Sequence, residues 1–82
     1  MEKYYYVYIL ESETSHGHFY TGFTENLETR LKAHNNGQCT HTSKFKPWKI
    51  KTAISFTDRK QALAFEQYLK SPSGRAFAKK RL

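Results

Sequence analysis

One cysteine, two prolines, one methionine and four glycines are all that this 82-residue chain holds of those types, and it has half as many acidic residues as basic ones. Each shortage excludes something. Cys39 stands alone, so no internal disulfide can form, and the chain fits a reducing compartment. No apolar run approaches the roughly eighteen residues that cross a bilayer, and the polar, charged start lacks the apolar core of a secretory signal. The expected location is the cytoplasm. No linker, repeat or low-complexity segment divides the chain. A chain of this length buries only roughly two-thirds of its unfolded surface and cannot support a second core, so one domain over residues 1–82 is expected.

What is present points to an ordered, basic domain. Six Tyr, six Phe and one Trp bring large apolar area per residue and compensate for a hydrophobic fraction of 38%. Seven acidic against 14 basic side chains leave a formal charge of +7, which favours polyanionic partners, nucleic acid first among them. Charge alone fits a merely soluble basic protein as well.

Periodicity gives the elements. Residues 4–10, dense in aromatic and β-branched side chains with little polar alternation, suit a strand buried on both faces near the centre of a sheet. Residues 11–17 are polar and end in Gly17, which reads as a turn, and residues 19–24 form the returning strand, bringing Tyr8 and Tyr20 into one neighbourhood. Asn26 is a good N-cap, and Leu27, Arg30, Leu31 and His34 fall in one arc of the following helix, the arc expected to pack on the sheet. Gly37 stops that helix, and residues 38–46 form a polar loop. Residues 50–56 place Ile50, Thr52, Ile54 and Phe56 on one side of a third strand. Asp58 with Gln61 opens a helix to about Lys70, buried through Ala62, Phe65 and Leu69. Ser71-Pro72 ends it and starts a short last helix anchored by Phe77. The expected fold is therefore α/β, a three-stranded antiparallel sheet flanked by three helices in the order β-β-α-β-α-α.

Several polar side chains stand where chemistry is possible. Glu66 falls inside the arc that should face the core, and a carboxylate there needs a partner, either a basic side chain such as Arg30 or Lys70 or a hard divalent cation. Arg30 offers a planar guanidinium for phosphate oxygens, or simply lies over apolar surface. His34 follows one turn later, where the helix dipole alone would favour it. Thr40, Thr42, Ser43, Lys44 and Lys46 carry the donors of a phosphate-contacting loop, or of a solvated one. Cys39, His41, His16 and His18 make a thin case for zinc, since one thiolate is too few for the usual structural site.

Taken together, Tyr6-Val7-Tyr8 and Tyr20-Thr21-Gly22 on paired strands, Arg30 and His34 on one helix and Glu66 on a later one resemble the GIY-YIG endonuclease superfamily. The likeness is to its small single-domain bacterial branch, similar to the nuclease module of the excinuclease C subunit. In the first tripeptide Tyr6 and Val7 replace glycine and isoleucine, and Tyr8 matches; the second keeps Tyr20 and Gly22 around Thr21. The resemblance covers nearly all of the chain, and so implies a whole domain. It implies metal-dependent hydrolysis of nucleic-acid phosphodiesters, DNA in the first place, in repair or recombination, leaving a 5′-phosphate and a 3′-hydroxyl. One Mg²⁺ or Mn²⁺ would be held by Glu66. Tyr8 would be the leading general base and Tyr20 the phenol that positions water or phosphate, an order that can be reversed. Arg30 would neutralise developing charge, and His34 would orient water or share the proton transfer. Gly22 would let the backbone pass close to a helix or to the nucleic acid. All five side chains are expected to converge on one face in a shared cleft, with a protein partner supplying substrate specificity. Several members carry an asparagine beyond the glutamate's helix; residues 71–82 have none, and Ser71 and Ser73 are the candidates to replace it.

Two readings of other classes fit the same composition. One is a nucleic-acid-binding module without useful catalysis. The other is an interaction domain that joins a repair complex through exposed aromatics. A metal-dependent nicking assay and a salt titration of DNA binding separate the three.

Overall fold

Aromatic and β-branched side chains fill the first strand, and in the computed structural model, which describes residues 3–82, that strand is the middle of the sheet. Tyr5–Ser12 (β1) pairs antiparallel with Phe19–Thr24 (β2) on one side and with Trp48–Phe56 (β3) on the other, giving the order β2-β1-β3. Both edges of β1 are thereby paired, so Val7, Tyr8, Ile9 and Leu10 are all buried.

Alternation along β1 then divides the core in two. Val7 and Ile9 face Ala62 and Leu69 of Arg59–Lys70 (α2), while Tyr8 and Leu10 face Trp48 and the half-buried Leu27 and Leu31 of Leu27–Asn35 (α1). The two helices thus cover opposite faces of the sheet. Truncating a buried side chain such as Leu69 to alanine would cost about 2–5 kcal/mol, since each face has only a few such residues.

Caps set the helix ends as the sequence suggests. The Asn26 carboxamide oxygen accepts from Thr29 N, the Asp58 carboxylate accepts from Gln61 N, and Gly37 adopts φ +77°, a left-handed conformation suited to glycine just past a helix end. Pro72–Arg81 (α3) follows α2 without a linker. Ser71 closes α2 through its N–H to the Tyr68 carbonyl and caps α3 by accepting from Gly74 N. Gly74 is needed there, because a Cβ would strike the Tyr68 carbonyl. Phe77 lies over Phe65 and Tyr68 and stays 37% exposed, while Ala78 and Leu82 reach the core in its place as anchors.

Two strand boundaries differ from the sequence reading. β1 runs on to Ser12, whose buried hydroxyl donates to the Phe45 carbonyl and accepts from Ser15 N. β3 starts at Trp48, pinned by the Asn35 carboxamide, which binds both its N–H and its carbonyl. The expected alternation also breaks: Ile9 pairs with Thr52 but Leu10 pairs with Ile50, so the irregularity around Lys51 moves Ile50 to the α1 face, opposite Thr52, Ile54 and Phe56. No helix among the described residues is long and apolar enough to cross a membrane.

Candidate active site

Tyr8 and Gly22 are direct cross-strand partners, and this pairing places the phenol. A side chain at residue 22 would occupy the space that the Tyr8 phenolic oxygen fills, with the Tyr20 ring 3.0 Å from the added carbon. Gly22 therefore serves the tyrosines, by letting the Tyr8 ring lie across β2, where the sequence suggested close approach to a helix or to the nucleic acid. From the opposite side α1 delivers His34, buried to 1% exposure, whose Nε2 lies 3.1 Å from the Tyr8 hydroxyl. The Tyr20 and His34 ring centroids are 4.8 Å apart, so two phenols and an imidazole form one cluster.

A third polar group orders the cluster. His34 Nδ1 lies 2.8 Å from the hydroxyl of Thr42, and Thr42 donates its only proton to the Cys39 carbonyl at 3.2 Å. Its oxygen can then only accept from the imidazole, which puts the ring proton on Nδ1 and leaves the lone pair on Nε2 for the Tyr8 hydroxyl to donate to. Thr42 is buried, and its carbonyl also accepts from the Trp48 indole. The expectation that Thr42 contacts phosphate is corrected: its hydroxyl is used inside the site. The remaining loop positions keep to the surface. Thr40, Lys44 and Lys46 are exposed, Lys44 lies over the Phe45 ring, and half-buried Ser43 donates to the Thr40 carbonyl.

Arg30 departs from the reading that put it against the sheet. Leu27, Leu31 and His34 take the inward stripe of α1, and Arg30 lies exposed at its margin. No ion pair or hydrogen bond engages its guanidinium among the described residues. Its charge still reaches the cluster. Burial, and then Arg30, pull the His34 imidazole below its usual range. Burial and the neighbouring Tyr20 push the Tyr8 phenol well above its usual range, with Arg30 opposing and Cys39 and Glu66 adding to the rise.

Glu66 comes from the other side. It shares the buried face of α2 with Ala62 and Leu69, which pack against the sheet face away from Tyr8, so the five side chains do not gather on a single face of the sheet. Its carboxylate pairs with Lys70 at 3.0 Å and accepts from the Gln67 amide at 3.2 Å, and of the two basic partners considered from sequence Lys70 is the one it meets. Its charge is nonetheless felt by the Tyr8 phenol. Among the described residues no three His, Cys, Asp or Glu side chains gather as a ligand group. A hard cation that keeps most of its waters needs only one such carboxylate, and Glu66, 8% exposed, has the chemistry for that.

This architecture defines a class. The sequence pattern of the GIY-YIG catalytic domain matches residues 4–81, and the chain belongs to that family. Its relatives fall into two groups. It is 41% identical over 66 residues to the UPF0213 protein CPE1444 of Clostridium perfringens, covering 79% of this chain and 69% of that protein. It is 39% identical over 74 residues to the structure-specific endonuclease subunit SLX1 of Chaetomium globosum, covering 83% of this chain but only 23% of that protein. The solution structure of the UPF0213 protein BH0048 from Bacillus halodurans superposes with a TM-score of 0.56 at 30% identity, over 93% of this chain and 80% of that one.

Proposed function

We propose that this chain hydrolyses phosphodiester bonds in nucleic acid, DNA in the first place, as a divalent-cation-dependent endonuclease. The observation that carries the reading is the Tyr8–His34–Thr42 hydrogen-bond chain beside Tyr20 and an unpaired Arg30, within a GIY-YIG domain. The likeness to SLX1, named a structure-specific endonuclease subunit, supports the reaction.

The raised pKa of Tyr8 means that it rests as a neutral phenol, so its basicity lies in the pair it makes with His34. As water attacks phosphorus, its proton passes to the Tyr8 oxygen while the phenolic proton passes to His34 Nε2. Thr42 holds the imidazolium that forms, by continuing to accept from Nδ1. Tyr20, half-buried and so the more accessible phenol, holds water and phosphate in line. The exposed Arg30 guanidinium takes up charge growing on the phosphoryl oxygens. Glu66, whose charge reaches the Tyr8 phenol, would hold Mg²⁺ or Mn²⁺ in exchange for Lys70, and the cation would supply Lewis-acid stabilisation of phosphate charge. The 3′-oxygen leaves by taking a proton from solvent, the His34–Tyr8 pair returns one to solvent, and the products are a 5′-phosphate and a 3′-hydroxyl.

The deciding experiment incubates the protein with Mg²⁺ or Mn²⁺ and single-stranded, duplex, flap and branched DNA. Cation-dependent nicking lost in Tyr8→Phe and Arg30→Ala supports the proposal. Salt-sensitive binding with no cutting of any substrate would replace it with the binding-module reading, to which the Glu66–Lys70 pair as a purely structural contact would then belong.

A further inference from the structure

On the α2 and α3 side of the sheet lies a groove of about 950 Å³, most of whose wall takes no part in the reaction outlined above. Lys51, Lys70, Arg75 and Lys79 line it together with Phe19 and Tyr20, and no acidic side chain is among its walls. Lys70 is committed to Glu66 and Lys51 donates to the Leu82 carbonyl, but Arg75 and Lys79 have no ion pair among the described residues. They stand one helical turn apart on α3, where two like charges repel. Arg75 moreover follows the first turn of its helix, the end at which the dipole disfavours a cation. The dipole favours Lys79 in the last turn of α3, so the cation without a local reason is Arg75, and a polyanion laid along the groove would offset the repulsion between the two.

We propose that the groove binds a single nucleic-acid strand, running from α3 to Tyr20, in addition to the strand being cut. The inference rests on the nuclease reading and names the substrate feature that this site would read. Phe19 projects from the edge strand β2 and is 51% exposed, and Ile9, Leu69 and Ala78 add apolar wall to the groove beside its cations. Unpaired bases bury their faces on such a surface, whereas bases in a duplex are already stacked. Cations along the wall with an exposed ring at its mouth therefore select an unpaired strand over a duplex. Tyr20 borders the groove from the edge strand β2 while its ring packs with Tyr8 and His34 on the other face, so a strand in the groove would reach the reacting centre around that edge. A strand leaving a branch point would be held in this way while the adjoining strand is cleaved.

The test measures binding of oligo-dT and of a blunt duplex across a salt series, for wild type, Arg75→Glu with Lys79→Glu, Arg75→Lys with Lys79→Arg, and Phe19→Ala. The double charge reversal is expected to weaken oligo-dT binding at least tenfold and to flatten its log–log salt slope by roughly 1.4, two phosphates at about 0.7 each. Duplex affinity should change less than threefold, and the charge-conserving pair should bind as wild type. Phe19→Ala, which leaves every charge in place, should weaken oligo-dT roughly fivefold or more with the slope unchanged, and it carries the test if the double reversal fails to fold. Unaltered oligo-dT binding in the reversal, or equal losses for oligo-dT and duplex, would overturn the groove while leaving nuclease activity of the wild type intact. Wild type that binds no nucleic acid in any form would overturn both.

Discussion

The nitrogen of His34 that does not touch Tyr8 lies 2.8 Å from the Thr42 hydroxyl, and this contact decides the direction of the proton between Tyr8 and His34. Because the Thr42 proton goes to the Cys39 carbonyl, the imidazole is held with its lone pair towards the phenol. A threonine 34 positions from Tyr8 in sequence thereby sets which group can accept that phenol's proton.

Replacing Thr42 with valine keeps the shape and removes the acceptor. The buried Nδ1–H is left unsatisfied, at a cost of about 1–3 kcal/mol in a denaturant melt. Cleavage should fall at least tenfold, less than the roughly 100-fold or more of a general acid–base group itself because Thr42 acts through His34. Thr42→Ser keeps the hydroxyl and should restore most of the rate, an outcome that a packing role for the methyl group would not give.

The shifts of His34 and Tyr8 fix the pH behaviour. With the imidazole lowered by burial and Arg30, the unfolded chain takes up a proton near pH 6.5 before the folded one does. Stability should therefore decline as pH falls below about 6.5, until the folded His34 also protonates, and His34→Gln should remove that slope. Tyr8 acts at the other end. Its raised pKa means that the unfolded chain loses the phenolic proton first above about pH 10, so stability declines there too, and Tyr8→Phe should remove that decline. Melting temperatures across a buffer series check both, and an alkaline loss unaltered in Tyr8→Phe would contradict the assignment.

Gly22→Ala adds one carbon where the Tyr8 phenolic oxygen lies and close to the Tyr20 ring. The expected stability cost is about 1–3 kcal/mol, typical of overpacking. Cleavage should drop further than the melting temperature implies, because the displaced phenol loses its bond to His34. A titration of the His34 ring protons by NMR would show that bond broken as an imidazole pKa different from wild type.

Glu66→Gln keeps the size of the side chain and removes the charge that a hard cation requires. Mn²⁺ binding, followed by electron paramagnetic resonance, and cation-dependent cleavage should both be lost, the latter by roughly 100-fold or more. Stability should change by less than about 1 kcal/mol, since the partner Lys70 remains half exposed to water. DNA binding in metal-free buffer should be nearly unchanged. Cleavage as fast as wild type would make Glu66 a structural partner of Lys70.

Local signals in this sequence carried the fold almost to the residue. Asn26, Asp58 and Ser71 announce helix starts by their own side chains, and the apolar density around residues 4–10 announces a central strand, because both properties are written within a few neighbouring residues. The site was legible in its residue types and less so in its geometry. Helical spacing placed Arg30 and His34 in one arc, but a stripe wide enough for Leu27, Leu31 and His34 left Arg30 outside. Thr42 looked like one more loop hydroxyl, since its burial depends on Trp48 and His34 folding over it from distant segments. That α1 and α2 take opposite faces follows from which alternate residues of β1 each helix covers. The shift at Lys51 in β3 arises from pairing across the sheet, and no local pattern records it.

Placing the earliest strand in the middle of the sheet has a consequence for synthesis. β1 and β2 leave the ribosome together and can close their hairpin, yet the second edge of β1 waits until residue 56 has been made. Over that interval Val7 and Ile9 lack α2, and a row of backbone donors and acceptors lies open to any other extended chain. The rate at which residues 25–56 emerge therefore sets how long each nascent copy is exposed to its neighbours on a polysome. Slow codons in that stretch, or before α2 is complete at Lys70, should favour aggregation, whereas slow codons beyond it should not.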